Sequence, residues 1–143
     1  PVIINGARNK DCLLYLKRFK NKNMIVATDD GSCGRKCFTT EVLEEVLSDK
    51  KIKIVQTCGP EIMMKRILDI CNKHKVECEA SLERFMGCGF GVCGKCTVND
   101  KIVCIDGPIF TSKQLNNMSE FGNFARLKSG KKVSLKDYHS SRG

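Results

Sequence analysis

The stretch Ile52-Lys53-Ile54-Val55-Gln56-Thr57-Cys58-Gly59-Pro60-Glu61 decides the fold of this chain. Ile52 to Val55 is a short run rich in β-branched residues and reads as a strand. Pro60 stands where a helix can begin, because its missing N–H is one the first turn leaves unpaired anyway. The helix is expected over Glu61 to Lys73, and Val76 to Leu82 follows as another strand. Strand, helix and strand in succession predict a parallel sheet with helices on its faces.

The same alternation precedes this stretch. Val2-Ile3-Ile4 reads as a strand, and Asp11 to Phe19 as a helix carrying Leu13, Leu14, Tyr15 and Leu16. Met24-Ile25-Val26-Ala27 reads as the next strand. Thr39 or Thr40 then N-caps a helix through Leu47, with Val42, Leu43, Val46 and Leu47 on one face. Residues 1–82 therefore predict an α/β domain. Ligands of such sheets bind beyond the carboxyl ends of the strands. Three turns stand there: Asn5-Gly6-Ala7-Arg8, Thr28-Asp29-Asp30-Gly31-Ser32 and Thr57-Cys58-Gly59-Pro60. Gly6, Gly31 and Gly59 let backbone approach a ligand, and the N–H groups after Pro60 suit an anion. Each is equally the composition of an ordinary strand-to-helix turn.

Residues 83–143 change character, so a second domain is expected there. The run Met86-Gly87-Cys88-Gly89-Phe90-Gly91-Val92-Cys93-Gly94-Lys95-Cys96 is dense in glycine and cysteine. Thr97-Val98 and Ile102-Val103 flank Asn99-Asp100 and predict a small hairpin that returns Cys104 beside Cys96. Residues 111–143 are polar and weakly patterned. The spacing C-x4-C-x2-C, with Cys104 eight positions after Cys96, begins as plant-type [2Fe–2S] sites do. Glycines between the thiols free backbone N–H groups to point at sulfur. A structural zinc site would also take four cysteines, more often from paired short knuckles. Disulfides suit an oxidising compartment, and Pro1 to Asn5 lacks the basic-then-apolar layout of a secretion leader, so a cytoplasmic location is expected.

Six other cysteines complete the ten. Cys12, Cys71 and Cys78 sit in predicted elements and read as small core hydrophobes. Cys33 and Cys37 are two thiols short of a ligand set. Cys58 lies at a strand's carboxyl end. His74 and His139 read as surface. The formal net charge is +9, but six bases against one acid between Arg126 and Gly143 supply +5 of it. Tryptophan is absent and no basic run is interleaved with stacking residues, so nucleic-acid binding is disfavoured. No stretch approaches 18 apolar residues, so no membrane span is expected.

Several stretches occur in a telling order. They are Thr28-Asp29-Asp30-Gly31-Ser32, Cys58-Gly59-Pro60-Glu61-Ile62-Met63-Met64, Ser81-Leu82-Glu83-Arg84-Phe85-Met86-Gly87-Cys88-Gly89 and Cys104-Ile105-Asp106-Gly107-Pro108-Ile109-Phe110. Together with Phe121-Gly122-Asn123-Phe124 and Ser129-Gly130-Lys131-Lys132-Val133, this order resembles the electron-transfer subunits of NAD-linked dihydroorotate dehydrogenases. The gamma subunits of sulfhydrogenases share most of the motifs, and both belong to the ferredoxin reductase superfamily.

The resemblance implies an oxidoreductase component. It passes electrons between NAD(P)(H), FAD and a [2Fe–2S] cluster, and then to the flavin of a catalytic partner subunit. The reaction implied is dihydroorotate oxidation in pyrimidine biosynthesis, or hydrogenase chemistry for the runner-up. Gly6, Ala7, Arg8, Thr28, Asp29, Asp30 and Gly31 would contact the dinucleotide, and Cys58 and Gly59 would lie near the nicotinamide. Cys88, Cys93, Cys96 and Cys104 would ligate the cluster. The chain opens at what matches the second strand of the family's nucleotide domain. The resemblance therefore implies a partial Rossmann-like sheet, without the FAD barrel or the glycine-rich first turn, in a C-terminal part not fully active alone. A zinc-binding module docking on nucleic acid is the reading from another class.

Overall fold

The computed structural model describes residues 1–19 and 22–140; Arg142 of the basic tail lies outside them. The chain divides into two compact units, Pro1–Lys51 and Ile52–Gly143.

The first unit is built on a parallel sheet. Strands β1 (Ile3–Ala7), β2 (Met24–Thr28) and the short β3 (Arg35–Lys36) lie in that order, with Ala7 opposite Thr28. Helix α1 (Thr39–Asp49) buries Val42, Leu43, Val46 and Leu47, the face its 3.6-residue spacing predicts. Its N-cap is Phe38 rather than Thr39 or Thr40. Glu41 Oε1 accepts the Phe38 N–H at 2.8 Å, and Thr39 instead turns its methyl toward Gly6.

The helix expected over Asp11 to Phe19 does not form. A single 3-10 turn, Lys10–Cys12, is capped by Asn9, whose Oδ1 accepts the Asp11 and Cys12 N–H groups at 3.1 Å. Tyr15 then adopts φ +59°, a left-handed conformation that breaks helix propagation. Leu14 and Tyr15 stay exposed, so burial does not reward helical spacing there. Cys12 is correspondingly exposed and is not a core residue.

The second unit contains the predicted crossover. Strand β4 (Ile54–Cys58) leads into α2 (Glu61–His74), which returns to β5 (Glu77–Ser81), parallel to β4 from Ile54↔Glu77 to Cys58↔Ser81. Met64, Leu68 and Cys71 of α2 are buried, as are Cys78 and Ala80 of β5. Cys78 donates a hydrogen bond to Cys71, which lowers the Cys71 thiol and raises that of Cys78.

Beyond the cysteine-rich loop come the hairpin β6 (Thr97–Val98) and β7 (Lys101–Ile102), then α3 (Val103–Asp106) and β8 (Ile109–Thr111). β8 pairs antiparallel with β5 from Glu79↔Thr111 to Ser81↔Ile109. The change of composition at residues 82 and 83 thus falls inside one compact unit, because the chain returns to the sheet after the loop.

Residues 111–140 are more ordered than their polarity suggests. They form α4 (Ser112–Leu115), β9 (Phe124–Arg126), β10 (Lys132–Ser134) and α5 (Leu135–Ser140). Ala125, Leu135 and Tyr138 make a small core of their own, flanked by Leu127 and Val133. The expected mixed α/β class, with parallel pairing and a small hairpin, is borne out. Among the described residues no helix is long and apolar enough to cross a membrane.

Candidate functional site

In the first unit, parallel pairing brings two of the three candidate turns together. β1 and β2 end side by side, and the chain continues the ladder past them. The Asp29 N–H donates to Ala7 O at 3.1 Å and the Asp30 N–H to Arg8 O at 3.2 Å. Gly6, Ala7 and Arg8 therefore stand beside Thr28, Asp29, Asp30 and Gly31. The second turn is tightly closed. Asp30 Oδ1 accepts both the N–H and the hydroxyl of Ser32, at 2.9 and 2.6 Å. These bonds hold the Asp30 carboxyl below its ordinary range. Thr28 is fully buried; its hydroxyl donates to Cys33 O at 2.8 Å and accepts the Cys33 N–H at 3.1 Å. Cys33 is thereby part of the turn's scaffold, through its backbone rather than its thiol.

The glycines have distinct uses. A Cβ on Gly6 would fall 2.1 Å from the Thr39 methyl, so its bareness admits the start of α1. Gly31 takes φ +80°, which closes the turn.

In the second unit, Cys58 ends β4 and Gly59 follows it. The Cys58 thiol is exposed, and a side chain on Gly59 (φ +148°) would meet Met63 Cε at 2.8 Å. The next acidic residue escaped the sequence reading. Glu61 opens α2 yet is buried, in a bidentate ion pair with the buried Arg84. Arg84 Nη2 lies 2.7 Å from Glu61 Oε1 and donates also to Phe124 O at 3.1 Å. The Gly122 N–H donates to Glu61 Oε1 at 2.8 Å. Three segments thus meet at one buried charge pair: the start of α2, the run entering the cysteine loop, and the stretch before β9. Their sequence signal is faint: one acid directly after Cys-Gly-Pro and one base in Ser-Leu-Glu-Arg.

The loop from Gly87 to Cys96 turns on Gly89, Gly91 and Gly94, with φ of +81°, +84° and +65°. Its sulfurs group two and two. The Cys93 N–H donates to Cys88 Sγ at 3.4 Å. That N–H first, then the one of Phe90, depress the Cys88 thiol to about 6, against the opposing effect of desolvation. Cys104 sits on α3, just after the hairpin. Desolvation, and then its hydrogen bond to the Cys96 thiol, push the Cys104 thiol up. Cys96 is buried, whereas Cys93 is exposed. Among the described residues, no three His, Cys, Asp or Glu side chains are arranged to hold a single metal ion. The donor set nevertheless suits a two-iron centre, which takes two thiolates per iron. Met86 before the loop, Phe90 and Val92 within it and Ile105, whose side chain reaches Gly91, are exposed apolar residues.

Comparison with known proteins fits this arrangement. Residues 83–116 match the model of the iron–sulfur cluster binding domain of dihydroorotate dehydrogenase B. The chain is 47% identical over 133 residues to the probable dihydroorotate dehydrogenase B (NAD(+)) electron transfer subunit of Methanocaldococcus jannaschii. That match takes in 91% of this chain and 52% of the relative. The corresponding protein of Pyrococcus horikoshii is 42% identical over 132 residues, 91% of this chain and 51% of its own. A solved structure of an NADH-dependent reduced ferredoxin-NADP oxidoreductase, described in connection with flavin-based electron bifurcation, superposes with a TM-score of 0.67 at 31% identity. It covers 83% of this chain and 46% of its own. The chain spans about half the length of the curated relatives it matches. Over nearly all of its own length, the chain is similar to electron transfer subunits of dihydroorotate dehydrogenase B, with the match to the cluster-binding domain confined to residues 83–116.

Proposed function

We propose that this chain holds a [2Fe–2S] cluster through Cys88, Cys93, Cys96 and Cys104. In this reading it serves as the electron-transfer part of an NAD-linked dihydroorotate dehydrogenase. The observation that carries the reading is the grouping of four thiols in two pairs, within the residues that match the cluster-binding domain. When bound, such a cluster accepts and releases one electron at a time. The chain's own residues prepare for it. The N–H groups of Cys93 and Phe90 favour the thiolate of Cys88, the form that binds metal. The hairpin β6–β7 brings Cys104 back to Cys96, and burial of Cys96 limits water at that sulfur.

The turns of residues 6–8 and 28–31 are proposed as dinucleotide contacts. Backbone crosslinks and the Asp30–Ser32 pair keep them in shape without a ligand. Asp29 and Asp30 are acceptors suited to ribose hydroxyls, and Arg8 is a cation suited to a phosphate. Cys58 and Gly59 are proposed to face the nicotinamide, with FAD held by the longer protein of which the relatives are examples. The partner is a catalytic flavoprotein subunit, and the exposed Phe90, Val92 and Ile105 offer it an apolar surface beside the cluster.

Anaerobic reconstitution with iron and sulfide tests the reading. Bound cluster with visible charge-transfer absorption is expected in the wild-type chain, lost in Cys96→Ser and kept in Cys12→Ser. A colourless protein with stoichiometric zinc would overturn it.

A further inference from the structure

Phe85 is flanked by two cations from separate parts of the second unit. Lys95 Nζ lies 5.8 Å from the ring centroid and Lys128 Nζ lies 6.0 Å from it. Lys95 stands between Cys93 and Cys96 in the loop. Lys128 belongs to the turn between β9 and β10, where the Leu127 N–H donates to Lys131 O and the Gly130 N–H to Leu127 O. A cation over an aromatic face is held by the ring's quadrupole, so both ammonium groups have preferred places rather than free sweep through solvent.

Gly87 shows how near the Lys95 stem runs to the Cys93 thiol. The space a Cβ on Gly87 would take lies 2.9 Å from Cys93 Sγ, 3.1 Å from Lys95 Cδ and 3.8 Å from Lys95 Cε. The Cδ of the lysine stem therefore lies no farther from the Cys93 sulfur than two such contacts laid end to end. Glycine at 87 is what lets stem and sulfur share that space.

We propose that Lys95, steadied on Phe85 together with Lys128, is a fixed positive charge that makes the cluster of Cys88, Cys93, Cys96 and Cys104 easier to reduce. Reduction adds one negative charge to a centre that is already anionic. A cation carried on a stem beside the loop's sulfurs stabilises the reduced form more than the oxidised one, and net charge near a cluster is a known lever on its potential. The effect is strongest for Lys95, which is partly buried, and weaker for the exposed Lys128, whose field water and salt screen. Both are positioning residues, since neither ligates the metal.

The inference rests on the cluster reading above, and one experiment separates their failures. The whole chain, loaded with cluster, is titrated electrochemically while the reduced centre is followed by electron paramagnetic resonance. Lys95→Met shifts the midpoint to more negative potential, Lys128→Met shifts it less in the same direction, and Lys95→Arg keeps the wild-type value. Phe85→Leu, which keeps both charges but removes their common support, gives a shift smaller than that of Lys95→Met. Added salt narrows the gap between wild type and Lys95→Met. Loaded variants that all titrate at the wild-type potential overturn the proposal while leaving the cluster reading intact. Should Lys95→Met fail to load, an unshifted Lys128→Met overturns it in the same way. A wild-type chain that takes up no iron overturns the cluster reading itself.

Discussion

The Thr28–Ser32 turn and the Cys88–Cys96 loop carry the chemistry expected of this chain, and they are built on opposite plans. The turn satisfies itself. Asp30, Ser32, Thr28 and Cys33 bond to one another, and Asp29 and Asp30 bond back to the neighbouring strand end. In the loop the bonds converge on sulfur instead: the Cys93 and Phe90 N–H groups reach Cys88 and Cys104 bonds to Cys96, while the Thr97 hydroxyl and N–H tie to Gly94 O. It is held also at its ends, by the Glu61–Arg84 pair before it and the hairpin after it. A site for a dissociable ligand has to keep its shape when empty. A site for an embedded cluster can take part of its shape from the metal bonds.

The largest effect expected on this contrast is an all-or-none one. Cys104→Ser abolishes cluster incorporation, whereas Cys33→Ser does not alter it, as read by iron content and visible circular dichroism. Next comes the loop's anchor. Arg84→Met leaves Glu61 buried beside an apolar side chain, and removing one partner of a buried ion pair costs about 3–5 kcal/mol, measured by urea unfolding of the loaded chain. An exposed pair gives the reference: Arg35→Met, which breaks the surface bond to Glu45, leaves the urea midpoint close to that of the wild type.

Glycine substitutions sharpen the contrast further. Gly34, beside the self-bonded turn, takes φ +70°, and an added Cβ would lie 2.2 Å from Val26 O. Gly34→Ala is expected to cost about 2–3 kcal/mol, since strained backbone and a backbone clash combine. Gly89 takes φ +81° with nothing within 4 Å of the added Cβ, so Gly89→Ala costs only the conformational term of about 1–2 kcal/mol. The smallest effect is electrostatic. Ser32→Ala removes the hydroxyl and weakens the turn, raising the Asp30 pKa toward its ordinary 3.8 in a carboxylate NMR titration. A depressed carboxyl stabilises the fold fully above its unfolded pKa and loses that contribution as pH falls through its folded one. The Asp30 contribution is therefore present at neutral pH and fades on acidification below 3.8.

The sequence was most legible where one physical demand acts alone. Strand–helix alternation located β1, β2, β4, α1, α2 and β5, because burial on one face imposes a period. Thiol spacing located the loop, because a metal centre imposes a distance. Legibility failed where demands compete. Leu13, Leu14 and Leu16 carry helical spacing, but Tyr15 adopts a left-handed backbone, and Leu13 and Leu16 are only half-buried while Leu14 is exposed. Residues 111–140 look like a solvated tail, since their core amounts to Ala125, Leu135 and Tyr138 with two flanking residues. Glu61 and Arg84 are both charged, so hydropathy reads them as surface. Only the fold brings them together across 23 positions and buries them.

The most direct test is the metal itself. The chain purified and reconstituted without oxygen is analysed for iron, acid-labile sulfide and zinc, with electron paramagnetic resonance after chemical reduction. About two irons and two sulfides per chain are expected, with the signal of one unpaired electron once reduced. One zinc per chain, no sulfide and no signal would contradict the cluster reading.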